Sequence, residues 1–205
     1  MEHHLNQQNL QSKIAFVLGN GKSRLKLQLA SLKSVATIYA CNAIYREFEP
    51  DFLIAVDTKM INEIIKAGYH NDHQVWTNPN RSVKNINNLN LFNPHKGWSS
   101  GPTALWFASQ NNHKDIYIFG FDYQGLDGKF NNVYADTFNY KKSTDAATYH
   151  GNWLNQTHTI IKENKKINYY RVINSNDYIP DKLINLNNLT HITYEEFGKK
   201  YSNCI

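Results

Sequence analysis

The stretch Lys13 to Arg24, KIAFVLGNGKSR, narrows the folds open to this chain more than any other. Ile14 to Leu18 is an apolar run long enough for a buried strand and too short for a helix. It stops on Gly19-Asn20-Gly21. Ser23 is then placed to cap a pattern of Leu25, Leu27, Leu29 and Leu32 that predicts a helix. A strand, a glycine turn and a helix N-terminus together make an anion site, because free N–H groups and the positive end of the helix dipole meet there. Lys22 and Arg24 stand beside the turn. Two phosphate motifs fall one residue short. A P-loop needs glycine where Phe16 stands, and the dinucleotide fingerprint needs a third glycine at Arg24.

The 205 residues suit one domain with a substantial core, and 41% hydrophobic residues with 13% aromatics exclude a disordered chain. A net charge of +5, not gathered in one run, suits an anionic ligand. No basic-aromatic stripe points to nucleic acid. Cys41 and Cys204 offer neither a disulfide framework nor zinc spacing. His70 and His73 stand at a spacing that suits a metal, but no Cys or carboxylate set completes a site in sequence, so no metal residue is assigned. With no long apolar span and no apolar signal region, the expected location is cytoplasmic. Residues 1–12, with His3 and His4, read as a flexible polar tail ahead of a domain at 13–205.

The rest of the chain alternates strand and helix. Val35–Ala40 predicts a strand ending at Cys41-Asn42, and Asp51–Asp57 a third strand tipped by Asp57. Thr58 is placed to cap a helix over Lys59–Ala67 that Gly68 stops. Gln74–Trp76 reads as a short strand and Thr77–Lys96 as a loop. Ser99 or Ser100 caps a helix with Pro102 in its first turn, giving a second N-terminus suited to an anion. Asp115–Phe119 is a strand followed by Gly120-Phe121-Asp122-Tyr123. Gly125–Thr148, with Tyr134 and Tyr140, reads as an active-site loop. Trp153–Lys165, Tyr169–Ile173 and Tyr194–Tyr201 add helix, strand and helix. The expected fold is α/β: a single Rossmann-like domain whose mainly parallel sheet is flanked by helices.

Four landmarks in this order carry a resemblance: Gly19-Asn20-Gly21-Lys22-Ser23, Cys41-Asn42, Ser99-Ser100-Gly101, and Ile116 to Tyr123. Tyr134-Ala135-Asp136-Thr137 adds a fifth. The set resembles the bacterial lipooligosaccharide sialyltransferases of the Campylobacter type, and the wider Rossmann-like superfamily that includes flagellin-glycosylating motility accessory factors. The resemblance implies a CMP-sugar donor and metal-independent, inverting transfer to a glycan-type acceptor. Asn20 and Asn42 would hold the cytidine nucleotide, and Ser100 and Gly101 the donor's carboxylate or ribose region. Tyr134 would bind the departing phosphate, where negative charge grows in the transition state. The family's base is a histidine just before the helix matching Trp153–Lys165. Gapless alignment sets Asn152 at that position, with His150 two residues away as the base candidate.

The candidate set is therefore His150 and Tyr134 for catalysis. Gly19, Asn20, Gly21, Lys22, Ser23, Asn42, Asp57, Ser99, Ser100, Gly101, Asp122, Tyr140 and Asn152 are the candidates for binding. No cofactor is required on this reading. The alternatives are a magnesium-dependent, pterin diphosphokinase-like enzyme of the same superfamily, with Asp57 and Asp122 at the metal, and a non-catalytic nucleotide-binding protein. Homo-oligomerisation stays open.

Overall fold

The structure is a computed structural model, and it describes residues 13–205. The proposed tail at 1–12, with His3 and His4, lies outside the described residues. Eight strands form one sheet: β1 (Ile14–Leu18), β2 (Thr37–Cys41), β3 (Phe52–Ile54), β4 (Val75–Thr77), β5 (Asn90–Leu91), β6 (Asp115–Phe119), β7 (Asn168–Ile173) and β8 (Leu189–Thr193). Their order is β5-β4-β3-β2-β1-β6-β7-β8, and every pairing is parallel. The expected single Rossmann-like α/β domain is what the chain forms.

Among the described residues, five α-helices lie between strands, α1 (Leu29–Leu32), α2 (Thr58–Lys66), α3 (Ser100–Ser109), α4 (Gly151–Glu163) and α5 (Asp181–Ile184), and a sixth, α6 (Tyr194–Lys200), follows β8. They cover both faces of the sheet, which is why the central strands read as unbroken apolar runs. On β1, Phe16 and Leu18 join Met60, Ile61 and Ile64 of α2 and Phe197 of α6 in one core layer. Ala15 and Val17 pack oppositely, with Ala104, Leu105 and Ala108 of α3 and Ile160 and Ile161 of α4. Ala15, Phe16, Val17 and Leu18 of the five-residue β1 are fully buried, and each large one adds about 1.5–3 kcal/mol of burial free energy. Phe16 also meets the Tyr117, Phe119 and Phe197 rings edge-on at 5.4–5.6 Å.

Three sequence expectations are corrected here. The helix expected after Ser23 is a 3₁₀ turn, Lys22–Lys26, followed by the four-residue α1. Gly21, not Ser23, stands at the turn's N-cap, and no side chain caps it. The leucine pattern misleads because Leu25 is 62% exposed while only Leu27 and Leu32 are buried. Thr58 is the first residue of α2 rather than its cap, and Asp57 holds the N-cap position beyond a strand that ends at Ile54. The segment Thr77–Lys96 is not wholly loop. It carries β5, with Phe92 and Val83 buried beside it.

Strand numbers rise outward from β1 on one side of the sheet and outward from β6 on the other. The connection therefore reverses direction between β1 and β6, and in open parallel sheets ligands bind above that point.

Candidate functional site

A cavity of ≈ 230 Å³ opens over the carboxyl ends of β1, β2 and β6. Its floor is two glycine turns pressed together. Gly19 N–H donates to the Phe119 carbonyl at 2.8 Å, and Gly21 N–H to the Gly120 carbonyl at 2.9 Å. Gly120 has φ +66°, and a Cβ on Gly19 would stand 2.6 Å from the Gly120 oxygen, so both positions need glycine.

Asp122 ties the turns together. Its carboxylate accepts from the Ser23 hydroxyl, from Ser23 N–H at 3.2 Å and from Asn131 Nδ2 at 2.9 Å. Asn131 Oδ1 in turn accepts from Lys22 N–H at 3.1 Å. This overturns the anion-site expectation for the first turn. The N–H groups of Gly19, Gly21, Lys22 and Ser23 are all engaged within the protein, and no α-helix of useful length starts there.

The free N-terminus belongs to α3 instead. Ser99 is its N-cap and donates its N–H to Gln156 Oε1 at 3.1 Å. The buried Ser100 hydroxyl accepts from Val56 N–H at 3.1 Å. Ser100 and Gly101, whose first-turn N–H groups have no intrahelical acceptor, line the cavity. Among the described residues no lysine or arginine lines it, and its ionisable neighbours are Asp57, Asp122, His150, Cys41 and Tyr123. Burial pushes the Cys41 thiol up to about 12, so it faces the cavity neutral at pH 7. Asp57 keeps an open surface, yet its packed neighbours raise its carboxyl above the usual range through desolvation.

Two buried acceptors at this site lack partners. Asn20 is 7% exposed, and its Oδ1 makes no hydrogen bond although its Nδ2 donates to the Tyr140 hydroxyl at 3.3 Å. Asn42 Oδ1 is likewise buried and unpaired. Asn42 sits at φ 59°, a left-handed conformation that asparagine tolerates better than most residues.

The cavity brings together Gly19, Asn20, Gly21, Asn42, Asp57, Ser99, Ser100, Gly101, Asp122 and His150. Lys22 and Ser23 lie beyond Asp122, in an adjoining recess with Asn174 and Asp177. Asn152 is exposed on α4 outside the cavity wall, whereas His150, at the α4 N-cap, is on it. Tyr134 and Tyr140 stand behind the wall. The buried Tyr134 hydroxyl accepts from Arg24 Nη2 at 2.7 Å and donates to Glu47 Oε1. Arg24, 2% exposed, also pairs with Glu47 at 2.9 Å. Desolvation by the packed wall and the Glu47 carboxylate raise the Tyr134 phenol well above its usual range, against the pull of Arg24.

Sequence reading missed Arg24 and Glu47 as partners of Tyr134. It also missed Gln124, Asn131, Asn132, Thr148 and Trp153 on the wall. His73 faces Glu49 at 3.6 Å and stacks on Tyr69, a carboxylate neighbour that sequence spacing hid. Even so, no group of three His, Cys, Asp or Glu side chains suited to a metal occurs among the described residues. No helix among them is long and apolar enough to cross a membrane.

The Glu47 pairing carries a pH prediction. Desolvation works to raise this carboxyl, but hydrogen bonds from Tyr134 and Arg24 outweigh it and hold the group below its usual value. A depressed folded-state value stabilises the fold above the ordinary carboxylate value, and that contribution is lost as pH falls through the depressed one. Urea unfolding from pH 7 to pH 3 should show a steeper acid loss in the wild type than in Glu47→Gln. Parallel acid limbs would show that the pair contributes nothing, the outcome usual for exposed ion pairs.

Comparison with known proteins finds no matching family model, no matching curated protein and no matching solved structure.

Proposed function

We propose that this protein is a sialyltransferase-like glycosyltransferase that takes a nucleotide-activated sugar, CMP-linked, at the cavity over β1, β2 and β6. The observation that carries the reading is the pair of unpaired buried acceptors, Asn20 Oδ1 and Asn42 Oδ1, at the ends of adjacent strands. An unsatisfied buried acceptor costs about 1–3 kcal/mol, and a ligand's hydroxyl or amino hydrogens would recover it. Ribose hydroxyls and the cytosine amino group are such donors; uracil presents a carbonyl in place of the amino group.

The Ser100 and Gly101 end of α3 supplies N–H groups and dipole for the phosphate, which compensates for the lack of a cationic side chain on the wall. The transfer is a single displacement. The acceptor hydroxyl oxygen forms a bond to the anomeric carbon, and its proton passes to the His150 imidazole. The bond from the anomeric carbon to the phosphate oxygen breaks, and its electron pair leaves on CMP. Tyr134 serves from behind the wall: held by Arg24 and Glu47, it fixes the loop that brings Tyr140 to Asn20.

Calorimetric titration with CMP, UMP, GMP and AMP in EDTA, then with magnesium, tests the donor class. CMP should bind most tightly, without metal. Asn42→Gly should weaken it about tenfold or more, consistent with loss of one well-placed polar contact. Glycine removes the carboxamide without straining the left-handed backbone, so folding is preserved while binding falls. Binding of none of the four, or only of an adenine nucleotide with magnesium, overturns the reading in favour of diphosphate transfer.

A further inference from the structure

We infer that Gln156 is a positioning residue for the bound anion: it fixes the α3 N-terminus through a neutral oxygen, which leaves two backbone N–H groups open at the cavity. The inference rests on the donor reading above, and it names a side chain outside the cavity lining through which that site is set.

The amides at the start of α3 can be counted in full. A helix leaves its first four N–H groups without an intrahelical acceptor, here those of residues 99–102. Ser99 gives its N–H to Gln156 Oε1 at 3.1 Å. Pro102 has no N–H to give. The Ser100 and Gly101 groups remain, and among the described residues neither donates to a protein acceptor. An N-cap serine ordinarily accepts from the second or third helical residue, yet the Ser99 side chain makes no such bond, so Gly101 stays open. Both residues line the cavity, as does Asn20, 7% exposed with an unpaired Oδ1. Open donors and an orphaned acceptor thus meet in one cavity.

Gln156 is half-buried on α4, and its neighbour Thr157 accepts from the Tyr123 hydroxyl at 2.8 Å. Ser99 and Tyr123 both belong to the cavity lining, so adjacent residues of one helix grip two parts of it. His150 is the N-cap of the same helix, about 9 Å along the axis from Gln156. α4 thereby holds the candidate base at a set distance from the anion seat.

The choice of an amide matters electrically. The lining already carries two carboxylates, Asp57 and Asp122, and no lysine or arginine among the described residues. A glutamate at 156 would make the same bond to Ser99 and, placed at a helix N-terminus, would not weaken the fold. It would put a third negative charge beside the seat. Glutamine makes the bond and leaves that charge to the ligand.

The test compares wild type, Gln156→Glu and Gln156→Leu at low and high salt. CMP and cytidine are titrated by calorimetry, and inorganic phosphate by phosphorus NMR line broadening. Gln156→Glu should weaken CMP about fivefold at low salt and less at high salt, where its charge is screened, with cytidine unchanged within about twofold. Gln156→Leu keeps the bulk and loses the oxygen. It should weaken CMP about threefold by a factor that salt does not change, again sparing cytidine. A merely structural role would leave Gln156→Glu silent, since the bond survives. CMP binding untouched by both variants, or equal losses for CMP and cytidine, overturns the inference and leaves the donor reading standing. Phosphate binding that both variants weaken, without CMP binding, keeps the positioning role and removes the donor reading. Binding of neither CMP nor phosphate overturns both.

Discussion

Replacing His150 by alanine should lower hydrolysis and transfer of CMP-sialic acid by about 10²–10⁴-fold, the range typical of a lost general base. CMP affinity should stay within about twofold, because under the proposed mechanism the imidazole acts on the acceptor proton rather than on the nucleotide. The structure sharpens this expectation by separating the two candidates for the base. His150 is on the cavity wall at the α4 N-cap, and Asn152 is exposed outside it. Asn152→Ala should therefore be close to silent. A silent His150→Ala beside a slow Asn152→Ala would sink the assignment. Tight CMP binding with no turnover in the wild type would mark a nucleotide-sequestering protein instead.

The second large effect belongs to Asp122. Its carboxylate holds the Ser23 backbone and hydroxyl and Asn131, and a Cβ on Gly21 would fall on that same carboxylate. The turn after β1 is thus wrapped around a side chain from the turn after β6. Asp122→Ala leaves partly buried donors unsatisfied, at about 1.5–3 kcal/mol for a hydrogen bond to a charged group. About 3 kcal/mol in a chain of this size lowers Tm by about 6–12 °C. Asp122→Asn should lose less, because it keeps the shape and an acceptor oxygen. If Asp122→Ala keeps its Tm but loses magnesium-dependent nucleotide binding, the carboxylate is a ligand group, and the diphosphate-transfer alternative gains its metal residue.

The central strands were legible in the sequence because burial on both faces leaves a strand uniformly apolar. Ile14–Leu18 and Asp115–Phe119 are found with the expected bounds. The Gly68 stop of α2 was legible too, since it rests on one left-handed residue, φ 72°. β8 was not. At the sheet edge only Leu189 is buried, so its pattern carries no apolar period. The helix expected after Ser23 failed because leucines at 25, 27 and 29 follow no single face, and tertiary contacts chose which to bury.

The site divides the same way. Residues at strand ends and at the α3 cap were legible, because parallel-sheet topology gathers those ends in one place. Arg24, Glu47 and Tyr134 were not legible as a unit. They are 23 and 87 positions apart along the chain, and no local spacing announces such a contact.

The long segment 125–150 has little regular structure, yet it is fastened at many points. Phe130 and Tyr134 are buried, and Val133 N–H reaches the Asn20 carbonyl at 2.8 Å. Arg46 holds Thr137 and the Phe138 carbonyl at 2.9 and 3.0 Å, and Asn139 holds Glu63 at 2.7 Å. Swinging this segment outward would break all of these contacts at once, so under the proposed function a ligand would enter and leave through a fixed mouth. Stopped-flow traces with CMP should then be single exponentials whose rate climbs linearly with concentration, without the plateau that a slow opening step imposes.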